Sequence, residues 1–571
     1  RTVQPNFEVT SGSVYFNMRM YNTSETHVIE RFPDGWTGNV SGSYTNISLG
    51  VGNYSIPMTS GSGCEWFKTS NSAGTYEFKS NFDTSTVSCM YQTFYNAQNF
   101  NGAVNHFSVS NVTNTSEMFY CAKKFNQSIS GWDLSSCTNA SKMFMHAVAF
   151  NAEVDDLVFG AMNCVNMFYN ANTFNQSLTN WDTANITNAS YMFYNCREFN
   201  KPINHLKFTG TNQLSYAFRH CQVFNQDITG IEYKDRTTYY YMFADCKALN
   251  HPGLQTWPFP GHAYNINFVF SGCTGFNQSI ANWTETLPPY SSGLFYGWTQ
   301  FNQRVSHLDL SNAAILDYFF SGCSNFNADD IGDLDVSHVS RATGFFRDCV
   351  KLDRDLGNWD VYNLYDMQAF FQGTNTRYFN IGGWNMSNTL YFSNMFRSSI
   401  VGDDLSGWDT SRGERFYNMF RSWGTKTGKL STSDKLDCKI DNWDMRNATA
   451  IKNMFLDAGT PSYIANINTN AWRMPNIKWD GIKSLGDENQ SWYQWNKSSG
   501  HPYSKFLQGA PGLGMPVIEP GYEPTYTVFV GYEFDSQIVA SAVEKALSSA
   551  ARKAAKKKYN AVRSPSPLSR T

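Results

Sequence analysis

A phenylalanine returns along this chain at Phe94, Phe119, Phe144, Phe168, Phe193, Phe218, Phe243, Phe270, Phe295, Phe320, Phe346, Phe371, Phe396, Phe420 and Phe455, at intervals of 24 to 27 residues until a last one of 35. Other positions keep step with it. Six residues on stands a second Phe, usually followed by Asn (Phe125, Phe150, Phe174, Phe199, Phe224, Phe276, Phe301, Phe326). Ten on is a branched aliphatic (Ile129, Leu178, Ile203, Ile228, Ile280), and thirteen on is often Trp (Trp132, Trp181, Trp283, Trp359, Trp384). A unit this short cannot bury its own apolar face, so such units must stack and share one core.

The expected architecture is therefore a repeat solenoid of about 15 coils over residues 79–460, with a short strand and a short helical turn in each coil of about 25 residues. The helical turn falls around each marker Phe, as in Thr187-Asn188-Ala189-Ser190-Tyr191-Met192-Phe193, where Ser, Thr or Asn would cap it. The strand falls on the Phe-Asn-x-x-x-Ile stretch. At about 4.8 Å per coil, fourteen intervals give a stack roughly 65–70 Å long. An all-helical repeat is the alternative; the short unit and its Asn, Gly and β-branched residues disfavour it.

Composition agrees. Only 16% of residues are charged, 16% are aromatic and 57 of 571 are Asn. A chain this aromatic is not wholly disordered. The sequence contains no run of about 18 apolar residues that could form a spanning helix.

The combined pattern Met-Phe-x-x-Cys-x-x-Phe-Asn-Gln-x-Ile-x-x-Trp-Asp resembles the bacterial-surface-protein repeat of mycoplasma lipoproteins, which is also plentiful in large algal and protist DNA viruses. It is similar in layout to the BspA-like branch of leucine-rich repeats. Phe174-Asn175-Gln176-Ser177-Leu178 through Trp181-Asp182-Thr183 to Met192-Phe193 matches almost fully. Departures are Leu249-Asn250 and Leu352-Asp353 for Phe-Asn, and Trp298 and Trp423 in a small-residue slot. The resemblance implies a surface or particle-associated structural role, without an activity.

Twelve cysteines at first suggest a disulfide-rich secreted protein. Six of them (Cys196, Cys221, Cys246, Cys273, Cys323, Cys349) share one repeat position with Ala97, Ala122, Ala147 and Ala171. That slot wants a small buried side chain, and the expectation is a reduced ladder. Cys64, Cys89, Cys121, Cys137, Cys164 and Cys438 lie off it, and a Cys137–Cys164 bridge stays open.

Seventeen Asn-x-Ser/Thr sequons occur. Those at Asn126 and Asn277 share a slot with Asn225, which is no sequon, so there the amide is expected to bond neighbouring coils. Asn22, Asn39, Asn46, Asn53, Asn111 and Asn489 are kept as candidate glycosylation acceptors.

No catalytic or nucleotide-binding signature is present, and no CxxC supports zinc. Asp329, Asp330, Asp333 and Asp335 could hold a cation, but a solvated turn is the better reading. No enzyme activity, cofactor or metal is expected. The first residues carry no signal-peptide pattern and no Cys precedes Cys64, so they set no compartment.

The flanks read as a β-rich N-terminal cap over 1–78, a C-terminal cap over 461–534, and a basic helix with a Ser-Pro tail over 535–571. Residues 541–571 hold eight basic residues and one acid, a charge of +7 against −10 for the other 540. Arg552, Lys553, Lys556, Lys557 and Lys558 are the expected anchor, toward an acidic protein or membrane surface; a merely solvated end and nucleic acid are weaker readings. The functional expectation is a non-enzymatic structural protein, a minor capsid or cement protein of a large algal-type DNA virus, located in the virion with capsid proteins as partners. The alternative is a cell-surface adhesin that binds host protein or glycan through the solenoid face.

Overall fold

The computed structural model describes residues 84–454 apart from 86, 258–262, 377–378, 422–437, 441 and 451–453, together with the backbone of strands between residues 2 and 78. The chain divides into units 1–520 and 521–571, and every described residue belongs to the first. The expected C-terminal cap, basic helix and tail, with Phe455, lie outside the described residues.

Near the N-terminus, Asn6–Ser11 pairs antiparallel with Gly52–Ser55 and Thr75–Phe78. Val14–Met18 pairs likewise with Thr45–Leu49 and Lys68–Ser70. Thr2–Val3 meets Met58–Thr59, and His27–Ile29 meets Gly38–Val40.

From residue 89 onward the repeats stack in parallel. The residue five before the marker Phe bridges its counterpart in the next repeat at every step but that from Asn188 to Gln213, from Cys89↔Asn114 and Asn114↔Asn139 on to Tyr391↔Arg415 and Arg415↔Ala450. Short parallel strands recur beyond the Trp slot, Asp133–Leu134 beside Val158–Phe159 and Lys207–Phe208 beside Glu232–Tyr233. The chain is a repeat protein whose coils bond one to the next.

Two local expectations are corrected. The segment around the marker Phe is not a helical turn; among the described residues there is no α-helix, only 3-10 turns at Pro252–Thr256, Ile331–Asp333 and Ile381–Gly383. The capping chemistry is present, since Asn188 Oδ1 accepts the Ser190 N–H at 2.9 Å, but a helix does not follow. The residues two before and two after the marker have positive φ, as at Tyr191 (57°) and Asn195 (59°). Alternate N–H groups then point out of the coil. Those of Phe193 and Asn195 donate to Ala217 O and Arg219 O of the next coil, each at 2.7 Å, while Tyr194 N–H closes a local turn on Tyr191 O at 3.1 Å. A helix would have spent all of them internally.

The Phe-Asn-x-x-x-Ile stretch is likewise no strand. Its coils are joined by side chains: Asn126, Asn151, Asn175, Asn200, Asn225 and Asn250 each donate their backbone N–H to the Oδ1 of the Asn one coil earlier, at 2.8–3.0 Å. Gln176, Gln226 and Gln278 add a donation from Nε2 to the carbonyl of that same Asn. The Asn in this slot thus bonds neighbouring coils as expected, and part of the Asn excess is this ladder.

Inside, the marker rings stack face to face, with centroids 5.0–5.3 Å apart over the six steps from Phe94 to Phe243. Each is wholly or almost wholly buried, which contributes roughly 1.5–3 kcal/mol per side chain before entropy. The Trp column does more than fill space. Trp132, Trp181, Trp283, Trp359, Trp384, Trp408 and Trp443 each donate Nε1–H to the carbonyl of a branched aliphatic in the preceding coil, at 2.7–3.3 Å. In two coils with Leu in the Trp slot, the preceding His205 and His307 place Nε2 at 2.7 Å from Leu178 O and Ile280 O.

Candidate contact face

The side chains that point outward around the marker sit three and two residues before it and one and two after it. Both positive-φ sites are among them; the one two before the marker holds varied residues such as Gln92, Glu117, Lys142 and Tyr191, the one two after a narrower set. There stand Asn96, Cys121, His146, Asn170, Asn195, His220 and Asp245, then Gly272, Gly297 and Gly322. Asn, Asp, His and Gly are the residues that enter this region most readily. That restricted set was visible in the sequence and would have revealed the turn.

Along this face lies a row of rings. Tyr95 stacks on Tyr120 at 4.8 Å and Tyr169 on Tyr194 at 4.5 Å. Beside them Tyr191, Tyr216, Tyr241 and Phe268 form one continuous stack, at 4.5, 5.3 and 4.8 Å. The next coil has Gly293, where an added Cβ would lie 2.1 Å from the Phe268 ring. Arg219 crosses the stack, its guanidinium 4.8 Å from the Tyr241 centroid and 3.1 Å from Asp245. Asp245 also lies 3.4 Å from His220 Nδ1. Partial burial still holds the His220 pKa below its ordinary value, outweighing that carboxylate. Burial likewise pushes the hydroxyls of Tyr191, Tyr216 and Tyr241 up, so the stack presents neutral phenols.

Farther along, the position after the marker changes from Tyr to Arg, at Arg347, Arg397 and Arg421. Burial, and then the charges of Arg421 and Arg347, push the Arg397 pKa down.

The cysteine ladder is buried, and Cys196, Cys221, Cys246, Cys273, Cys323 and Cys349 carry free thiols. Cys137 and Cys164 are buried free thiols too, so no bridge joins them. The ladder slot is more than a small hole. Each of its six thiols donates to the marker Phe carbonyl of the preceding coil at 2.9–3.3 Å. Trp298, Thr374 and Ser399 make the same donation from this slot. Shared donor capacity was the unread signal there.

Of the candidate acceptor asparagines, Asn111 is exposed and its amide donates to Ser85 O at 2.8 Å. Asn363 and Asn447 make the same bond to Ser337 and Ser411, and Asn363 is no sequon, so this position has a structural use. The side chains of Asn22, Asn39, Asn46, Asn53 and Asn489, and the tail residues Arg552, Lys553, Lys556, Lys557 and Lys558, lie outside the described residues. In the Asp-rich turn, Asp330 accepts the N–H groups of Val305 and Ser306, and Asp335 accepts that of Ser337.

The family described as "Mycoplasma protein of unknown function, DUF285" matches the chain five times, over residues 65–165, 158–257, 264–380, 375–478 and 425–513. No curated protein and no solved structure matches it. These matches run through all of the stacked coils, and the chain belongs to this mycoplasma repeat family.

Proposed function

We propose that the stacked coils are one solenoid, leucine-rich-repeat-like in layout, serving as the rigid body of a non-enzymatic structural protein in a large assembly. The observation that carries this reading is where the polar groups go. Asn, Gln, Trp and Cys side chains are largely consumed in bonds between coils, and the outward chemistry gathers on the aromatic and arginine face. Such a surface suits docking. The setting we propose is the virion of a large algal-type DNA virus, as a minor capsid or cement protein that contacts capsid proteins, with the basic tail as anchor. Proteomics of purified particles tests it: the chain should be present in fixed proportion to the major structural proteins. Deletion of residues 536–571 should abolish incorporation while the coils still fold, and normal incorporation of that truncation would refute the anchor.

A second reading has its own support. The Tyr191–Tyr216–Tyr241–Phe268 stack, with Arg219 across it, is the kind of surface that holds sugar rings or a protein partner. On this reading the chain is a cell-surface interaction protein. Its presence on cell envelopes together with absence from particles would favour it over the first.

A further inference from the structure

We propose that Asn185 and Asn282 are N-glycosylation sites, each carrying an oligosaccharide on its side-chain nitrogen. Both begin sequons, Asn185-Ile186-Thr187 and Asn282-Trp283-Thr284. The inference goes beyond both readings above and does not depend on which of them holds.

Eleven of the seventeen sequons lie in the described coils, and the fold commits nine of their asparagines. Asn126, Asn175 and Asn277 each accept a backbone N–H of the next coil. Asn114, Asn139, Asn188 and Asn385 each accept the N–H two residues on. Asn111 and Asn447 donate to a carbonyl of the preceding coil. The side chains of Asn185 and Asn282 are exposed and make no hydrogen bond among the described residues.

Their local geometry is alike. Ile186 N–H closes on Thr183 O at 3.1 Å, and Trp283 N–H on Ile280 O at 2.9 Å. Each Asn is therefore the third residue of a tight turn, after Ala184 or Ala281, at a corner of the chain that faces solvent. Thr187 and Thr284, which complete the sequons, are exposed as well. The slot of Asn185 holds Gly160 in the coil before and Gly210 in the coil after, so no side chain of that slot crowds it. Asn111 and Asn447 occupy this same slot and differ in having the amide tied to the preceding coil.

An amide nitrogen is a poor nucleophile while its lone pair is delocalised onto the carbonyl. A transferase must turn the group out of that plane, and an amide with no bond to lose turns most freely. In the step, Asn Nδ2 bonds to C1 of an oligosaccharide carried on a lipid pyrophosphate. The C1–O bond to the pyrophosphate breaks, the lipid pyrophosphate leaves with the electron pair, and Nδ2 gives up one proton. The two sites stand 17 and 12 residues after Phe168 and Phe270, outside the outward face around the marker, so the sugar leaves the aromatic row unmodified.

The test uses the full chain, directed by an added signal peptide into the secretory compartment of a eukaryotic cell. Mass spectrometry of its peptides before and after enzymatic deglycosylation reads each site. Asn185 and Asn282 should be occupied in most molecules, and Asn111, Asn126, Asn175 and Asn277 in few. Asn185→Gln and Asn282→Gln should each remove one glycan at an unchanged melting temperature. Thr187→Ala should remove the glycan at Asn185, and Thr187→Ser should keep it. Occupancy at Asn126, Asn175 and Asn277 as high as at the two turns, or none at either turn, would overturn the proposal. Bare Asn185 and Asn282 in the protein from its native source would overturn it too, and would leave both functional readings standing.

Discussion

The coils marked by Phe94–Phe270 and those marked by Phe295–Phe420 follow one backbone path with different side chains. In the first block the residue before the marker is often Met, as at Met118, Met143, Met167 and Met192; in the second it is Phe at Phe319, Phe345 and Phe370. From Phe320 to Phe420 the marker rings stand wider apart, at 5.7–6.0 Å. The Asn ladder of the first block runs on into the second as far as Asp353, whose N–H donates to Asn327 Oδ1. There, donations to carboxylates in the following coil stand beside it and beyond it, Val305 N–H to Asp330 and Ile381 N–H to Asp403. Between the blocks Trp298 fills the Cys slot and touches both sides, 4.9 Å from Phe295 and 6.2 Å from Phe270. Backbone hydrogen bonding between coils is thus common to both blocks, while the side chain in one slot ranges from Ala171 through Cys196 to Trp298.

The largest effect should come at this junction. Trp298 is fully buried and its indole satisfies Phe270 O. Trp298→Ala should cost about 4 kcal/mol in urea unfolding, at least as much as Phe218→Ala inside the first block. A cost below about 1 kcal/mol would mean the blocks do not depend on it to join.

Next come the positive-φ sites. Gly293→Ala puts a methyl into the Phe268 ring at φ 61° and should cost roughly 2 kcal/mol. Gly322→Asn, at φ 76° and in the slot where the first block has Asn, should cost less than about 0.5 kcal/mol. A loss at Gly322→Asn as large as that at Gly293→Ala would show that the second block does not accept the first block's Asn in this slot.

Smaller still is the ladder. Asn225→Ala removes the acceptor for Asn250 N–H and should cost about 1 kcal/mol. Asn380→Gly, which keeps the positive φ of 57° and removes an exposed amide 3.4 Å from Asp355, should be nearly neutral in the same melting assay.

The pH dependence separates the blocks last, because the second carries more of the coil-joining carboxylates. The Lys439 ammonium holds the Asp404 pKa down to about 2, with Ser406 assisting. Burial raises Asp330, but the N–H groups of Ser306 and Val305 more than offset it. Depressed carboxyls stabilise above their unfolded pKa, about 3.9, and that contribution disappears as pH falls toward the folded value. Burial raises Asp403, so its contribution has the opposite sign and is lost as pH rises through its folded value. Melting temperature should therefore fall between about pH 4 and 2. Asp404→Asn should flatten that fall, and Asp403→Asn should raise the midpoint at pH 7.

The repeat, its register, the buried Phe columns, the small Cys slot and the bonding role of the Phe-Asn asparagine were legible because each is a periodic demand on a side chain. The helical turn was misread because a capping Asn188 and an apolar Met192-Phe193 look alike before a helix and before a left-handed turn. The Asn, His, Asp and Gly that predominate two residues after the marker, with Cys121 and Ser398 as exceptions, distinguish them. The strand at Phe-Asn was misread because side chains carry its inter-coil bonds.

The most direct measurement of the account is the thermal unfolding of an in-phase deletion. Removing residues 200–224 joins Phe199 to Asn225 and takes out one whole coil length. If each coil depends only on its neighbours, the shortened chain should keep a cooperative transition near the wild-type temperature. Removing residues 200–211 breaks the register and should abolish that transition. Loss of cooperative unfolding in the 25-residue deletion, or equal tolerance of both, would contradict the stacked-coil account.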